Sequence, residues 1–399
     1  MTIPRKHSRL GPVVNALLAA LAFSLLGLVI WQNRDKIGEV FRHRLDLRLL
    51  GLGLLIYQIS LLISYVRWYM LVRVIEPGFK LRDTMLLGCI GYVFGLVIPG
   101  PVGGDFIKAA YLVRMHIKRT QAIASMLIDR ILGLLGLFGL AAGAGILAWG
   151  VASPDVRKLI VAAWLALGLS VLLLAAIFSN VQVRFFPRSA EARQGRLCLI
   201  MSELESMSTT YRLRLDVVLG ALGLSVVGHA LSVLAFFTVG KMLFPTEMTT
   251  TLAQHYLMVP LTLFSTIVPL PFGALGLSEG VGDQLFQLVG HPSGALNMMG
   301  YRVLTYGCGL IAACVYLANL GEVRALTAAH NLEDESRAGE FNGVEDEDLN
   351  PQVHSPRERP VTGKGLPEPR GQTPSPSQSH HLLVAKMHRG EVLPIPRPE

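Results

Sequence analysis

The chain has 399 residues, of which 51% are apolar and only 16% are charged, and its formal net charge is +8. An average soluble domain carries roughly 25% charged residues, so this chain has too few charges to cover the surface of a large soluble protein. A mean hydropathy of +0.47 agrees with this. Composition therefore excludes an ordinary soluble protein and predicts a protein embedded in a membrane.

Six stretches without a charged residue are long enough to cross a bilayer. They are residues 11–31, 49–66, 131–151, 159–183, 217–240 and 303–320, between 18 and 25 residues each. About 20 helical residues span the hydrocarbon layer. The first stretch exceeds the roughly 7–15-residue core of a signal peptide, so we expect it to be retained. These runs predict an all-α polytopic membrane protein with six full transmembrane helices. Within the third run, Gly139 and Gly143 predict close helix packing.

Two other hydrophobic stretches are broken by one shared pattern: an aliphatic residue, Pro, any residue, Pro, any residue, Gly. The first break contains Pro99, Pro101, Gly103 and Gly104; the second contains Pro269, Pro271, Gly273 and Gly276. Backbone that cannot stay helical is tolerated at membrane depth only where protein buries it or where it lines a watery cavity. The two breaks therefore predict hinge-like segments around a binding site inside the membrane.

The distribution of Lys and Arg predicts an orientation if both broken segments are re-entrant hairpins that return to the side they entered. The loops then assigned to the cytoplasm (1–10, 67–84, 114–119, 184–216 and the segment 321–330 after Leu320) hold roughly 17 Lys and Arg, against about nine in the outside loops 32–48, 152–158, 241–250 and 291–302. Both termini are then cytoplasmic, and the hairpins enter from opposite sides as in an inverted repeat. If each broken segment crosses fully instead, the chain has eight spans and this symmetry weakens.

The composition divides the chain into a membrane domain, residues 1–330, and a polar, Pro-rich tail, residues 331–399. The tail holds 12 acidic and 8 basic residues, a net charge of −4 that leaves +12 on the membrane domain. Such a segment cannot bury enough apolar surface to offset its chain entropy, so we expect it to be disordered.

Asp105 and Lys108 follow the first break, three residues apart on a predicted helix. Asp105 is a candidate helix N-cap, a purely structural role. Alternatively the two side chains share a helix face and present an ion pair to a cavity, with Lys108 attracting a phosphate and Asp105 orienting it. Both interpretations remain open at this stage.

Asp129 and Arg130 precede the third apolar run. Charges inside a membrane helix are costly, so they face the protein interior and pair. Arg130 either extends to the cytoplasmic boundary or binds a lipid phosphate through its two-pronged guanidinium. In the second case we expect Asp129 to hold Arg130 or to bond with Lys108.

Glu279 follows the second break as Asp105 follows the first. Ser278 is a candidate N-cap for a helix over 279–288, with Glu279 favoured by the helix dipole. Alternatively Glu279 is the opposite-side counterpart of Asp105 and binds an ammonium headgroup or a coupling proton. No Cys or His spacing predicts a metal site, and we expect no cofactor.

Three motifs in order resemble the lysylphosphatidylglycerol synthase transmembrane region, a family of flippase-like integral membrane proteins. They are residues 98–109 (IPGPVGGDFIKA), 129–133 (DRILG) and 271–280 (PFGALGLSEG), and the similarity covers roughly residues 10–325. In the full-length synthases this region resembles a translocase that moves an aminoacylated lipid between leaflets, followed by a soluble aminoacyl-transferase domain. The 69 residues after 330 are too polar and Pro-rich to form such a domain. The resemblance thus implies a stand-alone flippase-like protein without aminoacyl transfer.

The leading hypothesis is a translocase of a phospholipid or lipid-linked glycan in the bacterial inner membrane. Lys108 and Arg130 would bind the phosphate, and Asp105 and Glu279 would balance charge. One alternative is a membrane-embedded enzyme with Asp105 or Glu279 as acid or base; another is an assembly scaffold that recruits partners through its tail. No nucleic-acid partner is expected, and the sequence leaves the oligomeric state open.

Overall fold

The computed structural model describes residues 10–42, 45–97, 103–115, 117–179, 208–244, 250–291 and 293–321. All of these belong to one compact unit, Met1–Ser336. Within the described ranges the regular structure is helical and contains no strand, which confirms the predicted all-α class. The predicted tail, residues 331–399, lies outside the described residues, so its boundary and its disorder stay predictions.

Twelve helices are numbered here in chain order within the described residues. They are α1 (Leu10–Gln32), α2 (Arg34–Arg42), α3 (Leu47–Ile75), α4 (Leu81–Val97), α5 (Gly103–Arg114), α6 (Arg119–Ala148), α7 (Pro154–Phe178), α8 (Leu215–Leu243), α9 (Leu252–Phe264), the single turn α10 (Pro271–Ala274), α11 (Leu277–Gln287) and α12 (Gly294–Ala318). A 3₁₀ turn, Ser265–Ile267, follows α9 directly.

Five of these helices are long and apolar enough to cross a membrane: α3, α6, α7, α8 and α12. They expose large apolar side chains, such as Leu147, Leu165 and Leu172, which water would not favour on an outer surface. The protein is therefore a multi-pass membrane protein. The first predicted span coincides with α1, of which Ala20–Gln32 forms a shorter apolar helix, so the count of six stays a prediction.

Three helices extend beyond the charge-free runs that predicted them. Helix α3 continues to Ile75, and α12 begins at Gly294. Arg67 and Arg302, which the sequence assigned to loops, therefore lie within helices. Helix α6 begins at Arg119, ten residues before Asp129. The prediction that each transmembrane helix ends at its first charged residue was wrong for these helices, because Arg67 and Arg302 form ion pairs inside the protein.

Helices α3 and α8 run antiparallel at the centre of the bundle. Tyr211, just before α8, donates its hydroxyl to the Leu71 carbonyl near the end of α3, at 2.9 Å. Farther along, Ser60 donates to the Gly228 carbonyl at 2.8 Å. We call the end of the bundle at which α3 ends and α8 begins the first end. The second end is where α8 ends and α12 begins, and there Val40 of α2 clusters with Phe244 and Leu296.

Helices α4 and α5 pack against each other as an antiparallel pair on either side of the first break. A Cβ atom on Gly104 would lie 2.0 Å from the Gly91 carbonyl oxygen, so the backbones touch there. The open end of the pair lies at the first end of the bundle, where Phe79 and Ile117 share a core cluster with Trp68 of α3. Pro99 and Pro101 lie outside the described residues, whereas Gly103 and Gly104 open α5.

Helices α9 and α11 form a second antiparallel pair, with the second break between them. Its open end lies at the second end of the bundle, where His291 stacks edge-on against Phe244 at 5.1 Å between ring centroids. The turn α10 at its closed end contacts α4. The open ends of the two broken pairs thus lie at opposite ends of the bundle.

One packing prediction was wrong. Nothing lies within 4 Å of a Cβ placed on Gly139 or on Gly143, so these residues do not bring two described helices together. The close approaches in α6 occur instead at Gly136, against Ser225, and at Gly145, against Ile160.

Candidate functional site

Asp105 lies in the first turn of α5 and receives two cations. Arg130 of α6 donates from Nε to Asp105 Oδ2 at 2.7 Å, with Nη2 at 2.6 Å from the same oxygen. Lys108 Nζ lies 3.4 Å from Oδ1, so the ion pair expected from the three-residue spacing is present. Helix α5 begins at Gly103, so Asp105 is not its N-cap. The carboxylate therefore orients two cations beside the first break.

Asp129 binds a cation that the sequence did not point to. Arg67 of α3 donates from Nε to Oδ1 at 2.8 Å and from Nη2 to Oδ2 at 2.9 Å, a bidentate pair. Arg67 also donates to Ser225 Oγ of α8 at 2.9 Å. The expectation that Asp129 would hold Arg130 or Lys108 was therefore wrong. This pair ties α3, α6 and α8 together at the site.

The aromatic ring of Trp68 packs beside these charged side chains. Lys108 Nζ lies 5.1 Å from the ring centroid, within cation–π distance. Trp68 is 2% exposed, and its indole N–H has no hydrogen-bond partner among the described residues. A buried donor of this kind is costly unless something accepts from it. The site thus offers a donor as well as its cations.

We call the group Arg67, Asp105, Lys108, Asp129 and Arg130 the first cluster. It contains three cations and two carboxylates and therefore has a net charge of +1. Four of its side chains are at most 17% exposed, whereas that of Arg130 is 49% exposed. Among the described side chains of the cluster, Arg130 is therefore the most exposed cation.

A second cluster forms around the closed end of the other broken pair. Glu279 is fully buried in the first turn of α11 and pairs with Arg302 of α12. Arg302 also donates to the carbonyls of Phe272 and Gly273 and to Ser278 Oγ. One buried guanidinium therefore holds the turn, the helix start and α12 in a fixed arrangement.

The backbone of this turn is left-handed over several residues. Phe272 and Ala274 have φ of 57° and 55°, values that side chains with a Cβ disfavour. Gly276 has a φ of 85° and is the N-cap of α11, so the predicted Ser278 cap was wrong. The Gly276 N–H donates to Glu279 Oε2 at 2.7 Å. The predicted hinge residues Pro271, Gly273 and Gly276 thus lie in or beside this turn.

Each cluster lies at a similar depth from its own end of the bundle. At 1.5 Å rise per residue, Arg67 is roughly 12 Å from the end of α3, and Arg302 is roughly 12 Å from the start of α12. These two ends are opposite ends of the bundle, so one cluster lies about 12 Å inward from the first end and the other about 12 Å inward from the second.

The sequence analysis missed Arg67 and Arg302 because each is the charged residue next to an apolar run, and such residues were assigned to the adjoining loops. A usable signal was available. A carboxylate inside a membrane helix needs a cation within reach. Glu279 has no Lys or Arg near it in the sequence, and Asp129 has none left once Arg130 is assigned to a phosphate. Each therefore calls for a distant Arg or Lys as its partner. No group of three or more metal-ligating side chains forms within the described ranges.

The family model described as the lysylphosphatidylglycerol synthase TM region matches residues 17–313 of this chain. That range contains both broken pairs and both clusters. Neither the curated proteins nor the solved structures include a match.

Proposed function

Since the chain belongs to the lysylphosphatidylglycerol synthase transmembrane-region family, we propose that it moves a phospholipid or a lipid-linked glycan between membrane leaflets. In this proposal α4–α5 and α9–α11 are re-entrant hairpins, and a headgroup binds in a polar cavity between their closed ends. The protein would lie in the bacterial inner membrane with both termini in the cytoplasm.

The charge of the first cluster carries this proposal. A net charge of +1 matches the single negative charge of a phosphodiester, the linkage that joins the headgroup alcohol to a glycerophospholipid. Arg130 would bind the phosphate oxygens. Lys108, which shares Asp105 with Arg130, and the N–H of Trp68, whose ring contacts Lys108, would add donors. Asp105 would orient Arg130, whose side chain is 49% exposed, towards the headgroup.

The opposed entry of the two broken pairs supports movement between leaflets. Transporters with inverted repeats place the substrate near the midplane, between broken helices that enter from opposite sides. Here the turn held by Glu279 and Arg302 contacts α4 of the other pair. A shift of one pair against the other would expose a headgroup first to one side and then to the other.

The transport proposal predicts that Arg130→Gln and Asp105→Asn each abolish or strongly slow transbilayer movement of a labelled anionic phospholipid in proteoliposomes. A hydrogen bond to a charged group contributes about 1.5–3 kcal/mol, so losing it corresponds to roughly a 10- to 100-fold weaker headgroup affinity. Asp105→Asn removes the acceptor that positions both cations.

A matched control is Asp155→Asn, which breaks an Asp–Lys pair of the same three-residue spacing on the exposed start of α7. It should transport at the wild-type rate. Unchanged transport in Arg130→Gln and Asp105→Asn, with both variants folded, would reject the first cluster as the binding site. Covalently altered lipid would instead favour the membrane-enzyme alternative.

The hairpin topology predicts which side labels single cysteines introduced into a cysteine-free background. Lys80→Cys and Lys118→Cys, exposed at the open end of α4–α5, should react from the cytoplasmic side. Ala253→Cys and Gln287→Cys, exposed at the open end of α9–α11, should react only from the opposite side. Labelling of all four from one side would contradict the inverted arrangement, whatever the outcome of the transport assay.

A further inference from the structure

A second set of buried polar side chains lies at the second end of the bundle, apart from both clusters. His255 of α9 and Asn297 of α12 are 0% exposed, and His291, between α11 and α12, is 2% exposed. Nε2 of each histidine and both side-chain polar atoms of Asn297 have no hydrogen-bond partner among the described residues. Buried polar atoms in native proteins are paired with protein or with ordered water, so these four require an explanation.

The two histidine rings are neighbours, and Asn297 packs on the helix stretch that contacts them. The rings of His255 and His291 lie 6.1 Å apart between centroids, and both contact Phe286. Asn297 packs on the α8 turn at Gly240, where an added Cβ would lie 2.8 Å from its Nδ2.

The end of α8 and its C-cap residue contact both histidines. Phe236, one turn before Gly240, meets His255, and Phe244, one turn after it, meets His291. The unpartnered atoms therefore belong to a single buried region.

The known contacts of the two rings fix opposite tautomers. His255 Nδ1 lies 3.0 Å from the Thr251 carbonyl oxygen, which can only accept, so Nδ1 carries the proton and Nε2 is a free acceptor. His291 Nδ1 accepts from the Ser293 N–H at 3.2 Å, so the proton of a neutral ring is on Nε2. Burial lowers the pKa of His291 to about 4, which keeps the ring neutral at pH 7.

These tautomers disfavour a metal ion between the rings. A metal held by both Nε2 atoms would need a lone pair on each, and His291 has a proton there. One donor and one acceptor, together with the amide of Asn297, instead match a molecule that both donates and accepts. Water does so with two bonds of each kind, and buried waters typically make about three bonds to groups such as these.

We propose that His255, His291 and Asn297 form an internal hydration site that holds one or two water molecules bridging the two imidazoles. The water accepts from His291 Nε2–H and donates to His255 Nε2, and the Asn297 amide supplies the remaining partners. Such a site joins α9, the connection between α11 and α12, and α12 itself through water at the open end of the second broken pair. It does not depend on the transport proposal.

Hydroxyl-radical footprinting of the full chain in nanodiscs, with radicals generated from ¹⁸O-labelled water, tests this site. A bound water produces radicals next to it, so Phe286 should be oxidised several-fold faster than Phe138. Both are buried phenylalanines, at 0% and 3% exposure, and Phe138 lies outside this region. Equal oxidation of the two would overturn the proposal.

Asn297→Leu supplies a second measurement. Leucine has a similar volume but no polar atom. If water satisfies Asn297, the substitution should slow oxidation of Phe286 and lower the melting temperature. A higher melting temperature would show that the amide is dry and unpaired, which would also overturn the proposal. Nitrogen-15 NMR of labelled histidine should show opposite tautomers for His255 and His291, and identical tautomers would contradict the bridge.

Discussion

Arg302→Met should lower the free energy of unfolding by about 3–5 kcal/mol, because it leaves a fully buried carboxylate without its cation. Glu279 has no exposed surface, and Arg302 is its ion-pair partner. The same guanidinium holds the carbonyls of Phe272 and Gly273, so the left-handed turn also loses its anchor. Equilibrium unfolding of the detergent-solubilised protein measures the loss.

The double variant Arg302→Met/Glu279→Gln should recover part of this stability, since a neutral amide costs less to bury than an unpaired charge. Arg214→Met is the control, because it breaks an exposed Arg–Asp pair at the start of α8 and should leave unfolding unchanged. If Arg302→Met were as stable as this control, the ion pair would not be what holds the turn.

The helical class and the approximate positions of the long helices could be predicted from the sequence. Charge-free runs of 18 or more residues report directly on hydrocarbon thickness. The two breaks were also predictable, because proline and glycine act on the local backbone wherever they occur. Gly273 and Gly276 do adopt left-handed backbone, but so do Phe272 and Ala274, which carry no such signal in their side chains.

The partners of the charged residues could not be predicted in the same way. Asp105 and Lys108 are three residues apart, so local helix geometry indicated their contact. Arg67 and Asp129 are separated by 62 residues, and only the packing of α3 against α6 brings them together. A single sequence does not encode such a pairing in any local pattern.

The hydration site shows the same limit. His255, His291 and Asn297 lie on three separate segments. Each is a single polar residue in or beside a helix, and no local sequence pattern distinguishes it. Their shared feature, unpartnered atoms in one buried region, exists only after α8, α9, α11 and α12 have packed. Fold class thus follows from composition, whereas the sites depend on tertiary contacts.

Gly104→Ala should prevent α4 and α5 from packing as they do here. The new methyl group would lie 2.0 Å from the Gly91 carbonyl oxygen and 2.9 Å from its carbon, and both atoms belong to a helix backbone that cannot rotate away. Overpacking of this kind costs about 1–3 kcal/mol, and more where backbone must move. We expect reduced thermal stability in detergent and loss of lipid movement, because Asp105 is the next residue.

Gly143→Ala in α6 is the matched control for this substitution. Nothing lies within 4 Å of a Cβ placed there, so the added methyl meets no neighbour. Alanine also favours a helix interior over glycine by roughly 0.5–1 kcal/mol, so the melting temperature should stay the same or rise. A tolerated Gly104→Ala would mean that α4 and α5 do not touch at Gly91, and the closed end of the first pair would then need a different geometry.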